Sequence, residues 1–463
     1  MLLDDQESFS MTCHIRFWFK GKLLRDPFEK SLHMALKRHP LLSAILDETG
    51  VWPFKKNVFR TVPIFMDEIL DWTSGLSAEH DKDRVPLNDL RVKFLVRVSD
   101  TESLIAIRFH HSVCDGIGIF QFMEDLMLVY DNEVSYSSHE LPTLDPKLLT
   151  RRTDIGLSPT DWFQRLHLDV KRMSKFFLKL PTTLASSSIS MSSSLSHLRS
   201  TFTPKTLSTA KLHFDRTGLK LNSDPGDALR STVPESDIST ALESAKKSSV
   251  TLNELMIARL LKHCLDWNRA RNIPVRTIRP FRMNVPISLR TPAEDKMPAA
   301  NFVSMVFLDR GAAIIENEVQ LMKSVAEEMQ QVKEDRMGLT LILAVWLLMK
   351  LKVFGFILRH SPCMTTIGLT NLGRPFQKFV LNKDGFVKTG GVTLVGLDTF
   401  PPVRNGTRAT ISVNRYGGRL SVTTRYDATS WTKTDAERFH KGFLDRLTNQ
   451  PLACNIQDGL IAF

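Results

Sequence analysis

Leu104-Ile105-Ala106-Ile107-Arg108-Phe109-His110-His111-Ser112-Val113-Cys114-Asp115-Gly116 is the stretch that decides how this chain folds and what it can do. Up to Phe109 the residues alternate as in a half-buried strand, with Leu104, Ala106 and Arg108 on one face and Ile105, Ile107 and Phe109 on the other. Two histidines follow at the strand end. After a three-residue gap an Asp-Gly pair turns the chain into an apolar-periodic helix, expected over Ile119–Val129. Histidine is the side chain best matched to taking and returning a proton near neutral pH, and a ring at a strand end faces a cleft. Asp115 suits a helix N-cap, or an anchor that pairs with a distant arginine; Gly116 is expected to supply a positive φ.

Outward from this motif the chain reads β then α. Met11–Phe19 is strand-like, and Asp26–Arg38 is an amphipathic helix ended by His39-Pro40. Leu90–Val98 alternates well, and Asp100-Thr101 makes the turn into the motif strand, so the histidines close an antiparallel pair. Farther on, strands are expected at Leu229–Val233, Phe281–Ile287, Phe302–Leu308, Thr365–Leu369, Val392–Leu397, Ala409–Val413 and Leu420–Arg425. Helices are expected after Pro234 and over Leu252–Trp267, about 316–335, 339–358 and about 433–448. Eight of the eleven residues Ser186–Ser196 are serine, a flexible linker by composition. It divides the chain into an N-terminal domain over 1–180, a linker over 181–215 and a C-terminal domain over 216–463.

Composition narrows the function. With 463 residues, 42% hydrophobic and 24% charged, the chain is globular and long enough for two cores. Cys13, Cys114, Cys264, Cys363 and Cys454 are dispersed and odd in number, which fits reduced thiols in a cytoplasmic setting. Cys13-His14, His263-Cys264 and His360 near Cys363 follow no zinc spacing, so no metal site is expected. The acidic Met1–Asp5 start lacks the basic and apolar regions of a signal peptide. Leu339–Leu358 is interrupted by Lys350, Lys352 and Gly355, too broken for a membrane span.

Most of the +11 net charge falls in 151–216, which holds 11 Lys/Arg against four Asp/Glu. Within it, residues 159–180 carry Trp162, Leu166, Val170, Met173, Phe177 and Leu180 at helical spacing, with cations on the other faces. Such a helix either packs on its own protein or touches an anionic membrane surface peripherally. No nucleic-acid-binding signature accompanies the charge, and nucleic acid is not expected as a partner.

A neutral imidazole within hydrogen-bond reach removes the proton from a hydroxyl or amine as that group attacks a carbonyl. If the carbonyl belongs to a thioester, the departing thiolate takes the same proton back. One histidine is then enough, and the absence of a G-x-S-x-G elbow counts against a serine hydrolase. The pattern His110-His111-x-x-x-Asp115-Gly116 resembles the signature of the CoA-dependent acyltransferase superfamily, which includes chloramphenicol acetyltransferase and the condensation domains of peptide synthetases. Leu32–Leu42 with its His39-Pro40, Thr251–Leu255, Asn284–Arg290, Asn301–Ser304 and Thr370–Gly373 resemble further family segments, in order, over most of the chain outside 140–215. The D-F-G-W-G box of the plant branch is absent.

The resemblance implies an α/β fold of two chloramphenicol acetyltransferase-like domains, mixed sheets flanked by helices, with a tunnel between them. It implies His111 as the base, His110 and Gly116 as structural members of the motif, and Asp115 paired with an arginine, for which Arg290 is the candidate. Asn301 and Asn371 are candidates for lining the tunnel. No bound cofactor is implied; acyl-CoA enters as co-substrate and a small-molecule alcohol or amine as acceptor. An acyl carrier protein in place of CoA is the alternative donor, and a non-catalytic lipid- or partner-binding relative is the reading from another class.

Overall fold

A computed structural model describes residues 5, 9–49, 56–75, 84–87, 89–154, 227–247, 249–272, 280–334, 336–339, 342, 365–377 and 379–448. The basic helix expected at 159–180, the serine run and nearly all of the helix expected at 339–358 lie outside the described residues.

Strand β1 (Thr12–Lys20) sits at the centre of the first sheet because its alternation satisfies two surroundings at once. Cys13, Ile15, Phe17 and Phe19 enter one core, while His14, Arg16 and Trp18 occupy the opposite face. Helix α1 (Arg25–Arg38) packs on the core face through Phe28, Leu32, Ala35 and Leu36, spaced at helical intervals, and ends ahead of Pro40. A hairpin of β2 (Ala44–Thr49) and β3 (Lys56–Thr61) stands apart, followed by the single-turn α2 (Met66–Ile69). Strands β4 (Leu70–Ser74), β5 (Lys93–Val98) and β6 (Glu102–His110) then extend the sheet. Ser99 N donates to Glu102 O at 2.8 Å, closing the turn expected at Asp100-Thr101. Helix α3 spans Gly116–Ser135, longer at both ends than Ile119–Val129, because Asp115 caps it ahead of the first buried bulky apolar position.

The second sheet is built from β7 (Asp227–Pro234), β8 (Phe281–Ser288), β9 (Val303–Arg310) and β10 (Ile367–Asn371). From β10 the chain leaves for the first sheet, adding β11 (Lys388–Thr389) and β12 (Val392–Phe400), and then returns as β13 (Ala409–Tyr416) and β14 (Arg419–Tyr426). The two orders are β11-β12-β1-β6-β5-β4 and β7-β14-β13-β10-β8-β9. Residues 388–400 therefore complete the sheet begun by the N-terminal half. A long helix over Leu252–Arg269 opens with a reciprocal capping box between Thr251 and Glu254. Its buried face meets helices over Glu318–Glu334 and Lys433–Thr448 above the second sheet.

Buried polar bonds join the sheets where β12 crosses. Asp398 is buried; it accepts from Trp18 Nε1 of β1 at 2.8 Å and from Ser421 Oγ of β14 at 3.0 Å, and pairs with Arg230 of β7 at 2.7 Å. Arg425 of β14 donates to the Thr12 carbonyl at 3.0 Å, and Thr399 and Ser412 share a hydroxyl bond of 2.5 Å. These contacts tie the two sheets together beside a cavity that reaches the histidine motif.

Candidate active site

The motif loop is held by bonds from both halves of the chain. His111 N donates to Met11 O at 2.9 Å, tying the loop to β1. Asp115 uses its carboxylate fully. Oδ1 accepts from Gly118 N at 2.8 Å as the cap of α3, while Oδ2 accepts from Phe302 N and from Arg290 Nη1, each at 2.8 Å. Arg290 Nη2 reaches the Ala300 carbonyl at 2.7 Å. Asp115 thus clamps the start of α3 to the segment before β9, and its oxygens face donors of its own protein.

Gly116 and Gly118 are required by close approach, and neither has a positive φ. This corrects the expected role of Gly116. A Cβ there would stand 2.9 Å from Leu372 Cδ2, whereas one on Gly118 would stand 2.6 Å from Cys114 Sγ and 2.9 Å from the Ala300 carbonyl oxygen. The tighter constraint falls on a glycine outside the motif.

His110 is fully buried. Its Nδ1 accepts from Ser112 N at 3.2 Å and contacts Ser112 Oγ at 2.7 Å, and its Nε2 lies 3.4 Å from Asp5 Oδ1. His111 is only half-buried and lines the cavity. Its ring is hydrogen-bonded to its own backbone carbonyl, and Asn301 Nδ2 donates to that carbonyl and stands 3.4 Å from the ring Nδ1. Burial drives the His111 pKa down to about 4 against smaller opposing effects of its carbonyl and Asp115, so the ring is neutral at pH 7.

The cavity is open to solvent and holds about 650 Å³ of empty space including its mouth, with walls from β1, the motif loop, β8, β10, the end of β12 and Ser412 of β13. Asn371 is in the wall, its Oδ1 accepting from Gly373 N at 3.0 Å. Asn301, the other candidate for the lining, contacts the His111 ring through its side-chain amide, and its backbone N is tied to Val113 O at 3.1 Å.

Residues that sequence reasoning passed over complete the support. His39, read only as a helix end, is fully buried. Its Nδ1 accepts from Ala299 N at 2.8 Å and its Nε2 lies 3.1 Å from Asp125 Oδ2. Arg152, read only as part of a basic run, donates to the carbonyls of Ser112 at 2.6 Å and Asn301 at 3.3 Å. The pairing of His39 with Pro40 was the available signal for the first; nothing local marks the second. Cys114 is buried and its thiol is pushed well above the usual range by burial, which leaves it no nucleophilic role. Among the described residues no cluster could hold a metal ion, and no helix is long and apolar enough to cross a membrane.

No family model and no curated protein matches this sequence. Solved structures do. The first condensation domain of the calcium-dependent antibiotic synthetase, in complex with a substrate analogue, aligns over 96% of this chain and 93% of its own at TM-score 0.65 and 13% identity. The starter condensation domain of rhizomide synthetase RzmA, as a point mutant in complex with C8-CoA, aligns over 96% and 90% at 0.62 and 12%. The X-domain from teicoplanin biosynthesis aligns over 100% and 95% at 0.57 and 14%. The chain therefore has the two-sheet α/β fold of these condensation domains.

Proposed function

We propose that this protein is an acyltransferase that moves an acyl group from an acyl thioester, acyl-CoA in the first place, to an acceptor hydroxyl or amine, with His111 as general base. The observation that carries the reading is the placement of His111: a neutral ring at the wall of the cavity, its backbone carbonyl held by Asn301. As the acceptor oxygen or nitrogen attacks the thioester carbonyl, its proton passes to the His111 ring. The tetrahedral intermediate then collapses with cleavage of the C–S bond, and the imidazolium returns the proton to the thiolate. Ester or amide and free thiol are the products, and His111 ends neutral. A base with so low a pKa makes a strongly acidic imidazolium, which favours the second transfer.

His110, Asp115, Gly116 and Arg290 act in this scheme by holding the loop, and Asn301 by holding the His111 carbonyl. Asn371 is the wall residue offered to the substrate. The carrier-protein donor remains the second reading, supported by the likeness to synthetase condensation domains. Thiol release from a panel of acyl-CoAs, with alcohols and amines as acceptors, tests both donors. Wild type is expected to release thiol and His111→Ala to be slower by about 10²–10⁴-fold. Equal release by the variant would refute the assignment, and release only from a carrier-bound thioester would select the second donor.

A further inference from the structure

His14 lies in the wall of the same cavity, on β1, at 3% exposure, and the mechanism above does not use it. Both of its ring nitrogens are buried with no hydrogen-bond partner. Two unsatisfied polar atoms in one buried side chain cost on the order of 1–3 kcal/mol each, so they call for a ligand that is absent when the cavity is empty.

Several other polar side chains of the wall are already engaged. Thr399 and Ser412 bond each other, Asn371 accepts from Gly373 N, and Ser288 Oγ accepts from Arg290 N at 3.2 Å. The charge around His14 is positive. In the β1–β6 ladder Arg108 stands directly across from it, Arg16 follows two positions along the same face, and Arg425 reaches the Thr12 carbonyl two positions before it. Burial and these three guanidiniums hold the ring well below its usual pKa, so it is neutral and keeps one N–H donor and one acceptor nitrogen.

We propose that His14 is a specificity-determining residue of the cavity, donating its N–H to the oxygen of a carboxylate carried by the substrate. A neutral donor in a field of cations suits an anionic oxygen better than a hydroxyl, which would meet the same field with little net charge. The inference rests on the cavity being the substrate site, as the proposed function has it, but its test reads binding and needs no turnover.

The probes are octanoate and 1-octanol, equal in chain length and different at the end group, titrated calorimetrically into wild type, His14→Leu and His14→Gln. Wild type is expected to prefer octanoate by at least about tenfold, or 1.4 kcal/mol. His14→Leu should abolish the preference with an unchanged or higher melting temperature, since two unsatisfied polar atoms are removed. His14→Gln should recover most of it. No preference in wild type, or a preference that survives His14→Leu, would overturn the proposal and show that water alone satisfies the ring. A fall in the melting temperature of His14→Leu would also overturn it by making the residue structural. Failure of the acyltransferase reading is seen separately, in thiol release.

Discussion

Arg290→Ala is expected to loosen the motif loop, and the structure sets the size of the effect. The substitution removes the 2.8 Å bond to the buried Asp115 carboxylate and the 2.7 Å bond to the Ala300 carbonyl. Stripping one partner from a buried pair costs about 3–5 kcal/mol. Asp115 keeps two backbone donors, Gly118 N and Phe302 N, so the lower end, about 3 kcal/mol, applies. Asp115→Ala should cost at least as much, because it orphans both amides and the guanidinium together. In the double variant the Asp115–Arg290 term is lost only once, and the two costs should fall short of additivity by about 2 kcal/mol. Urea unfolding followed by far-UV circular dichroism measures all four proteins, with a constant slope as the condition for comparing them. Additivity within about 0.5 kcal/mol would refute the clamp.

Three further outcomes follow from the same geometry. Because His111 must be neutral to act and its pKa is held at about 4, kcat/KM should stay level down to about pH 5 and fall only near pH 4; an acid limb at about 6.5 would show an unperturbed ring. Gly118→Ala should lower the melting temperature by several degrees, since its methyl meets the Ala300 backbone, whereas Gly116→Ala meets a movable leucine side chain and should cost about 1 kcal/mol or less; equal shifts would contradict this. His263 and His440 are buried with pKa values near 4, below the unfolded value of 6.5, so the unfolded chain binds their protons first. Their contribution is complete above about pH 6.5 and declines as pH falls towards 4, on the order of 3 kcal/mol each. Urea midpoints at about pH 7 and pH 4.5, for wild type and His440→Gln, should show the variant with the smaller decline.

Much of the fold was legible because period-two and helical patterns are local. The strand-like run Met11–Phe19 announces β1, and the apolar periodicity of Leu252–Trp267 announces its helix without any tertiary information. The passage of 388–400 into the first sheet was not legible, because strand pairing between residues near opposite ends of the chain leaves no local trace; Asp398, which anchors it, looks in sequence like any strand aspartate. At the site, the motif stood out because adjacent histidines and an Asp-Gly turn are chemically dense. Its supports did not. Arg152 and Asp125 act through bonds that only the folded chain creates, and Gly118 matters because of an Ala300 backbone far along the sequence.

Single-turnover formation of acylated acceptor at pH 7, by wild type and by His111→Ala of matched circular dichroism and melting temperature, tests the central claim most directly. With enzyme in excess over acyl-CoA, product release drops out and the rate reports the proton-coupled attack itself. The variant's rate should be lower by about 10²–10⁴-fold, with the fold intact. A variant that acylates as fast as wild type would contradict it.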